Sequence, residues 1–175
     1  MKIGNKKIDN KSKPLLIAEI GINHNGDLDL AKKMTISAID SGADIVKFQT
    51  HLVDDEMLNI EEKKKASHVK GSLYEILKQC SLNLKAHYEL KKLCESKNKI
   101  FMSTPFSIQA VDLLNKIGVK AFKIGSGETN NYHFVEYILK KNKPTLVSTG
   151  TSSWNDLKTF NEKFIDYKKQ IVLLH

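Results

Sequence analysis

The chain has 175 residues, of which 41% are hydrophobic, and a formal net charge of +8. That length buries one sizeable core and is short for two large domains, and no apolar run approaches the roughly 20 residues that cross a membrane. The lysines are spread through nearly every amphipathic segment and are not gathered with aromatics on a reading motif. The charge therefore argues for a solvated surface rather than a nucleic-acid interface, with the dense runs at 63–65 and 140–143 on exposed faces.

Residues 2–9 suit a short hairpin. From there the chain alternates between apolar strand-like runs and helical patterns. Strands are predicted at 15–20, 44–48, 100–103, 121–124, 144–148 and 171–174. Helices with apolar residues at three-to-four spacing are predicted at 28–40, 84–97, 108–117, 132–141 and 154–164. The break in this rhythm is a long insertion over 50–82, with a helical run at 73–80; such insertions tend to be functional or mobile. Apolar strands separated by helical crossovers imply parallel pairing, with helices covering the sheet. Periodicity alone leaves two α/β solutions open, an open doubly wound sheet or most of an eight-stranded barrel. Cys80 and Cys94 have neither metal-ligand spacing nor the density of a disulfide framework, and the lysine-rich opening leads into no leader-like apolar segment. A cytoplasmic protein is expected.

The last positions of the strands collect polar residues. The first runs AEIGINHNG, with Glu19 inside it and Asn23, His24, Asn25 and Gly26 just after. The second ends VKFQTH, where Lys47 and Gln49 share a face by the two-residue period. The third runs into STPFS, offering Ser103 and Thr104. The fourth, FKIGSGE, carries Lys123, Ser126 and Glu128, and the fifth ends VSTG with Ser148 and Thr149. A single Ser or Thr at such a place is ordinarily a helix cap, a single His a packing residue, and a pair of glycines a backbone bend. Lysines inside apolar strands are different, because each loses hydration unless an anion or hydrogen-bond partner compensates; an internal ion pair with Glu19 is one such compensation. If the strands are parallel, Lys47, Thr104, Lys123, Ser126 and Ser148 converge on the carboxyl-end mouth where α/β folds bind ligands. That set matches a small phosphorylated or carboxylated molecule. The amides of the 125–127 turn are further candidate donors, and Glu19 and Glu128 border the mouth as acid–base groups.

These five strings, in this order, resemble the sialic acid synthase family from residue 15 onward. The resemblance implies the amino-terminal portion of a (β/α)8 TIM-type barrel over 1–175, interrupted after about six βα units, without the antifreeze-like domain that follows in the family. It implies condensation of phosphoenolpyruvate with N-acetylmannosamine to give N-acetylneuraminate, or with the diacetamido precursor of legionaminate. On that resemblance Lys47 and Lys123 hold phosphoenolpyruvate, Gln49, Thr104, Ser126 and Ser148 bind substrate beside them, and Glu19 and Glu128 are the essential carboxylates, their division of proton transfer left open. The family's divalent metal, manganese or magnesium, is expected to find its histidine ligands beyond this chain, although His175 matches a family histidine closing the sixth strand. A family homodimer is likewise implied. An interrupted barrel of this kind is expected to show no synthase turnover alone and to associate through its open edges, or to act as a non-catalytic anion-binding fragment.

Overall fold

The computed structural model describes residues 1–58 and 72–175. An antiparallel hairpin, β1 (Lys2–Ile3) and β2 (Lys6–Lys7), opens the chain. It is followed by β3 (Ile17–Gly21), α1 (Leu28–Asp40), β4 (Ile45–Thr50), α2 (Val53–Glu56), α3 (Leu73–Cys80) and α4 (Leu84–Ser96). The second half runs β5 (Ile100–Pro105), α5 (Ile108–Lys116), β6 (Phe122–Ile124), α6 (Tyr132–Leu139), β7 (Thr145–Ser148), α7 (Trp154–Lys163) and β8 (Ile171–Leu174). Every expected strand and helix has its counterpart; α2 was not foreseen, because its VDDE sequence is too short to show a period. The lysine run at 63–65 and the middle of the 50–82 insertion lie outside the described residues.

Strands β3, β4 and β5 pair in parallel in that order, as do β6, β7 and β8, and β6 packs beside β5. The order never reverses. That excludes the doubly wound alternative, whose strand order must turn back at a switch point. Among the described residues the ladders form two three-stranded parallel sheets rather than one closed wall.

Helix starts follow from local chemistry. Asp27 accepts from the amides of Asp29 and Leu30 to start α1, and Ser72 and Ser153 form capping boxes with Glu75 and Asp156 at α3 and α7. Asn83, Ser107 and Asn131 cap α4, α5 and α6 with their side chains. The caps of α5 and α7 are thus Ser107 and Ser153, three and five residues past Thr104 and Ser148, which leaves those two hydroxyls to other partners.

The two faces of each strand have separate fates. Val46, Phe48, Phe101, Phe122, Ile124 and Val147 are buried against the helices. On the opposite face Ile45, Ile100, Met102, Ala121 and Leu146 form a second cluster, which Ile3 of the hairpin plugs. Truncating a residue of this kind, such as the fully buried Met102, to Ala costs about 2–5 kcal/mol. Further along the same face the side chains become polar. The inner face is therefore oily at the amino end of the strands and charged at the carboxyl end.

The turn after β3 is held just as tightly. Gly26 has φ +80°, and a β-carbon there would lie 2.1 Å from the Gln79 carbonyl oxygen at the end of α3. Only glycine lets the AEIGINHNG turn and α3 approach this closely.

Candidate active site

Parallel register sets Glu19 of β3 beside Lys47 of β4, and Gln49 of β4 beside Thr104 of β5. The Lys47 ammonium lies 2.7 Å from the Glu19 carboxylate and donates to Thr104 Oγ1 at 3.1 Å. Two strands on, Lys123 donates to Ser148 Oγ at 2.6 Å and to the Ile124 carbonyl at 2.8 Å. Both lysines are buried, at 4% and 6% exposure. They also feel one another: burial first, then repulsion from Lys47, depresses Lys123 from its ordinary 10.5 to about 8, with Glu19 partly offsetting. Two electrostatically coupled ammonium groups, each hydrogen-bonded to a hydroxyl of the next strand, have the chemistry to receive an anion.

Glu19, Gln49, Thr104 and Ser148 thus gather around Lys47 and Lys123. Ser126 and Glu128 lie on a single 3₁₀ turn after β6, half-buried. There the Ser126 carbonyl accepts from Thr151 Oγ1 at 2.7 Å, and Glu128 accepts from Asn131 Nδ2 at 3.0 Å. The amides of Glu128 and Thr129 are spent within that turn, on Gly125 and Ser126 carbonyls. Ser103 does not join the mouth. The two-residue period that aims Thr104 inward sends Ser103 into the helix layer, where its hydroxyl meets Thr50 at 2.7 Å. His24 is also a packing residue: it is 1% exposed, tilted against Phe48, and takes the Gly26 amide on Nδ1 at 3.1 Å. Thr149 ties the end of β7 to the Leu174 carbonyl at 3.0 Å. His175 is exposed just past β8.

Sequence reasoning missed a buried polar chain beside Gln49. The His51 imidazole bridges two side chains, with Nε2 3.0 Å from the Gln49 amide and Nδ1 2.8 Å from Glu56 Oε1. The imidazole stacks on Phe106 at 4.3 Å between centroids. The period through 47, 49 and 51 placed His51 on the mouth side; nothing local marked Glu56.

Elsewhere the lysine run at 140–143 is engaged in ordinary surface contacts. Lys140 pairs with Glu136, Lys141 with Asp112, and Lys143 bonds Asn115. Both cysteines are buried, and burial raises the Cys94 thiol to about 12, so it behaves as a packing residue. Among the described residues no helix is long and apolar enough to cross a membrane. Nor, among them, do three or more His, Cys, Asp or Glu side chains come together in a way that fits a metal ion.

The sequence profile of the NeuB family matches residues 34–175. The chain is 42% identical to the N,N'-diacetyllegionaminic acid synthase of Campylobacter jejuni over 151 residues, covering 83% of this chain and 45% of that protein. It is 34% identical over 146 residues to human N-acetylneuraminate-9-phosphate synthase, covering 82% of this chain and 41% of that one. The crystal structure of the N-acetylneuraminic acid synthetase of Leptospira borgpetersenii, in complex with citrate, superimposes with a TM-score of 0.88 at 30% identity, over 100% of this chain and 58% of that one. Neighbours of this kind are of the TIM-barrel type. The chain spans about half the length of the curated relatives it matches. With the parallel α/β order and the matched profile together, the chain belongs to the NeuB family of sialic-acid-type synthases.

Proposed function

We propose that the mouth binds phosphoenolpyruvate and serves its condensation with an N-acetylated amino sugar. The observation that carries this reading is the pair of buried, mutually repelling ammonium groups of Lys47 and Lys123, each hydrogen-bonded to a hydroxyl of the neighbouring strand. Such a pair is costly when empty and is relieved by a ligand bearing several negative charges.

In the proposed reaction Lys47 and Lys123 grip the phosphate and carboxylate, with Thr104, Ser126, Ser148 and Gln49 donating to the same oxygens. Holding the anion this way orients its methylene carbon. A carbon–carbon bond forms from that methylene to the aldehyde carbon of open-chain N-acetylmannosamine, water adds to the phosphate-bearing carbon, and cleavage of its C–O bond releases phosphate. The product is N-acetylneuraminate. Glu19 and Glu128 serve the proton transfers. The divalent metal of the family would polarise the aldehyde oxygen, and among the described residues no cluster of His, Cys, Asp or Glu fits it. The homodimer of the family and a cytoplasmic setting complete the proposal.

A second sugar is favoured by the 42% identity to a diacetyllegionaminic acid synthase, above the 34% to the human enzyme named for N-acetylneuraminate 9-phosphate. On that reading the acceptor is the diacetamido precursor of legionaminate.

Titration calorimetry of the 175-residue protein with phosphoenolpyruvate is the test. Saturable binding that inorganic phosphate competes with and Lys47→Ala abolishes supports the reading; no saturable binding at millimolar ligand rejects it. Saturation-transfer NMR on the loaded protein, with each sugar in turn, then separates the two acceptors.

A further inference from the structure

The two buried lysines of the mouth are not equivalent. Lys47 has a counter-ion, the Glu19 carboxylate at 2.7 Å, besides the Thr104 hydroxyl at 3.1 Å. Lys123 has no carboxylate within ion-pair distance among the described residues. Its two acceptors are neutral oxygens, Ser148 Oγ at 2.6 Å and the Ile124 carbonyl at 2.8 Å. An ammonium carries three N–H donors and an amine two, so Lys123 can lose one proton and keep both bonds. The residue is 6% exposed, and burial without a counter-ion favours the neutral form.

The electrostatics point the same way as the contacts. Burial, then Lys47, hold Lys123 down at about 8, while Glu19 pulls in the other direction. Near neutral pH a sizeable share of the molecules therefore carries a free amine here, against about one in a thousand for an ordinary lysine. A free amine in such a setting is a nucleophile toward carbonyl carbon. The other groups that carbonyl addition needs stand beside it. The coupled Lys47 ammonium offers a carboxylate its counter-charge. Ser148 Oγ touches the Lys123 nitrogen and can pass a proton, and the Ser148 carbonyl accepts from Thr129 Oγ1 at 2.7 Å, which ties down the end of β7.

We propose that Lys123 is an amine nucleophile that forms an imine with a small 2-oxo carboxylate whose carboxylate group rests on Lys47. The nitrogen lone pair attacks the keto carbon, the carbon–oxygen π pair moves to oxygen, and one proton passes from nitrogen to that oxygen through Ser148. The resulting carbinolamine loses water, a proton from nitrogen and hydroxide from carbon, and leaves a carbon–nitrogen double bond. No oxidant or reductant enters. Pyruvate is the simplest such ligand: it has the carboxylate of phosphoenolpyruvate and a keto group in place of the enol phosphate. The assignment goes beyond the proposed phosphoenolpyruvate site, because holding an enol phosphate requires no free amine.

The experiment incubates the full 175-residue protein with pyruvate and cyanoborohydride at about pH 7.5, which reduces an imine to a stable secondary amine, and locates the adduct by peptide mass spectrometry. The chain carries 28 lysines and no arginine, so the other lysines serve as the internal standard and the wild type alone gives the answer. Expected is labelling of Lys123 at least about tenfold faster than of any other lysine. Lys123→Arg keeps the charge and should lose the label. Lys143→Arg, at a half-buried lysine outside the mouth, should keep it. Label spread evenly over the surface lysines, no label at all, or the same label in Lys123→Arg overturns the proposal. Phosphoenolpyruvate separates the two readings. If Lys123 is labelled but phosphoenolpyruvate neither protects it nor binds in calorimetry, the phosphoenolpyruvate reading falls and the nucleophile stands. If phosphoenolpyruvate binds and pyruvate leaves no adduct, the nucleophile falls and the functional reading stands.

Discussion

Glu19 and Lys47 stand in register across two strands with their charges 2.7 Å apart, yet the Glu19 side chain is 60% exposed and the Lys47 side chain 6%. The carboxylate approaches the buried cation from the solvent side, and its negative charge opposes an anionic ligand that comes to the same ammonium. Glu19→Gln removes the competing charge while keeping the shape, so phosphoenolpyruvate should bind about three- to tenfold more tightly, an effect that shrinks with added salt. Calorimetry in low and moderate salt measures this. Weaker binding to the variant would show that Glu19 supports the ligand instead of competing with it.

Lys123 makes binding sensitive to pH on the alkaline side. Its folded value of about 8 lies below the ordinary 10.5, because burial and the Lys47 ammonium both disfavour the charge. Below about 8 it is an ammonium in folded and unfolded chains alike, and its full cost is present; between about 8 and 10.5 only the folded chain sheds the proton, and stability recovers. An anion reverses the preference. At pH 9 phosphoenolpyruvate should therefore bind with uptake of up to one proton, at pH 6.5 with none through this lysine, and affinity should fall by up to about tenfold per pH unit above the folded value. Titrations in two buffers of different ionisation enthalpy read the proton count directly. Buffer-independent heats at pH 9 would sink the assignment.

The same residue predicts a trade between stability and binding. Lys123→Met keeps the length of the side chain and removes a buried charge whose strongest electrostatic neighbour is another cation. Ser148, half-buried, can turn its hydroxyl to water. Replacement of buried charge by apolar volume is commonly neutral or stabilising, so a gain of about 1 kcal/mol and a rise of about 2–4 °C in Tm are expected, with phosphoenolpyruvate binding lost. Thermal melts alongside calorimetry check both halves. A variant that melts lower and binds as before contradicts the receptor assignment.

The inner face of the strands was legible because it breaks a rule. A lysine in an apolar strand stands out, and the two-residue period then carries Gln49 to the same side as Lys47. Order along the chain gave the parallel α/β layout, and the unreversed pairing of β3 with β4 and β5 separated the barrel-type order from the doubly wound one. Ser103 and Thr104 are adjacent hydroxyls at one strand end, and the pleat turns Thr104 to Lys47 and Ser103 to Thr50. Glu56 was invisible because its partner depends on how α2 folds back after β4, a tertiary fact with no local pattern. The bulge between Glu19 and Gly21 is of the same kind.

Behind the mouth, on the helix side of β4 and β5, three side chains form a chain whose direction can be worked out. The Asn83 carbonyl, 3.0 Å from His87 Nδ1, can only accept, so that nitrogen carries the hydrogen and Nε2 is bare. Thr50 must then donate to Nε2 at 2.9 Å, which leaves its oxygen to accept from Ser103 at 2.7 Å. Thr50→Val removes both functions at once, orphaning a ring nitrogen and a buried hydroxyl, and should cost about 2–4 kcal/mol; Ser103→Ala removes one donor and should cost about 1 kcal/mol. Because this network requires neutral His87, and burial depresses both His87 and His24 below the ordinary 6.5, the folded chain resists protons that the unfolded chain binds. Stability should therefore hold above about pH 6.5 and fall below it, by up to about 1.4 kcal/mol per pH unit for each histidine. His87→Gln, which cannot ionise, should lose its share of that acid slope. Urea melts from pH 8 to 5.5 supply every number needed. A Thr50→Val protein no weaker than Ser103→Ala would show that the hydroxyls do not relay in this order, and an acid slope unchanged in His87→Gln would mean that His87 takes up its proton without unfolding.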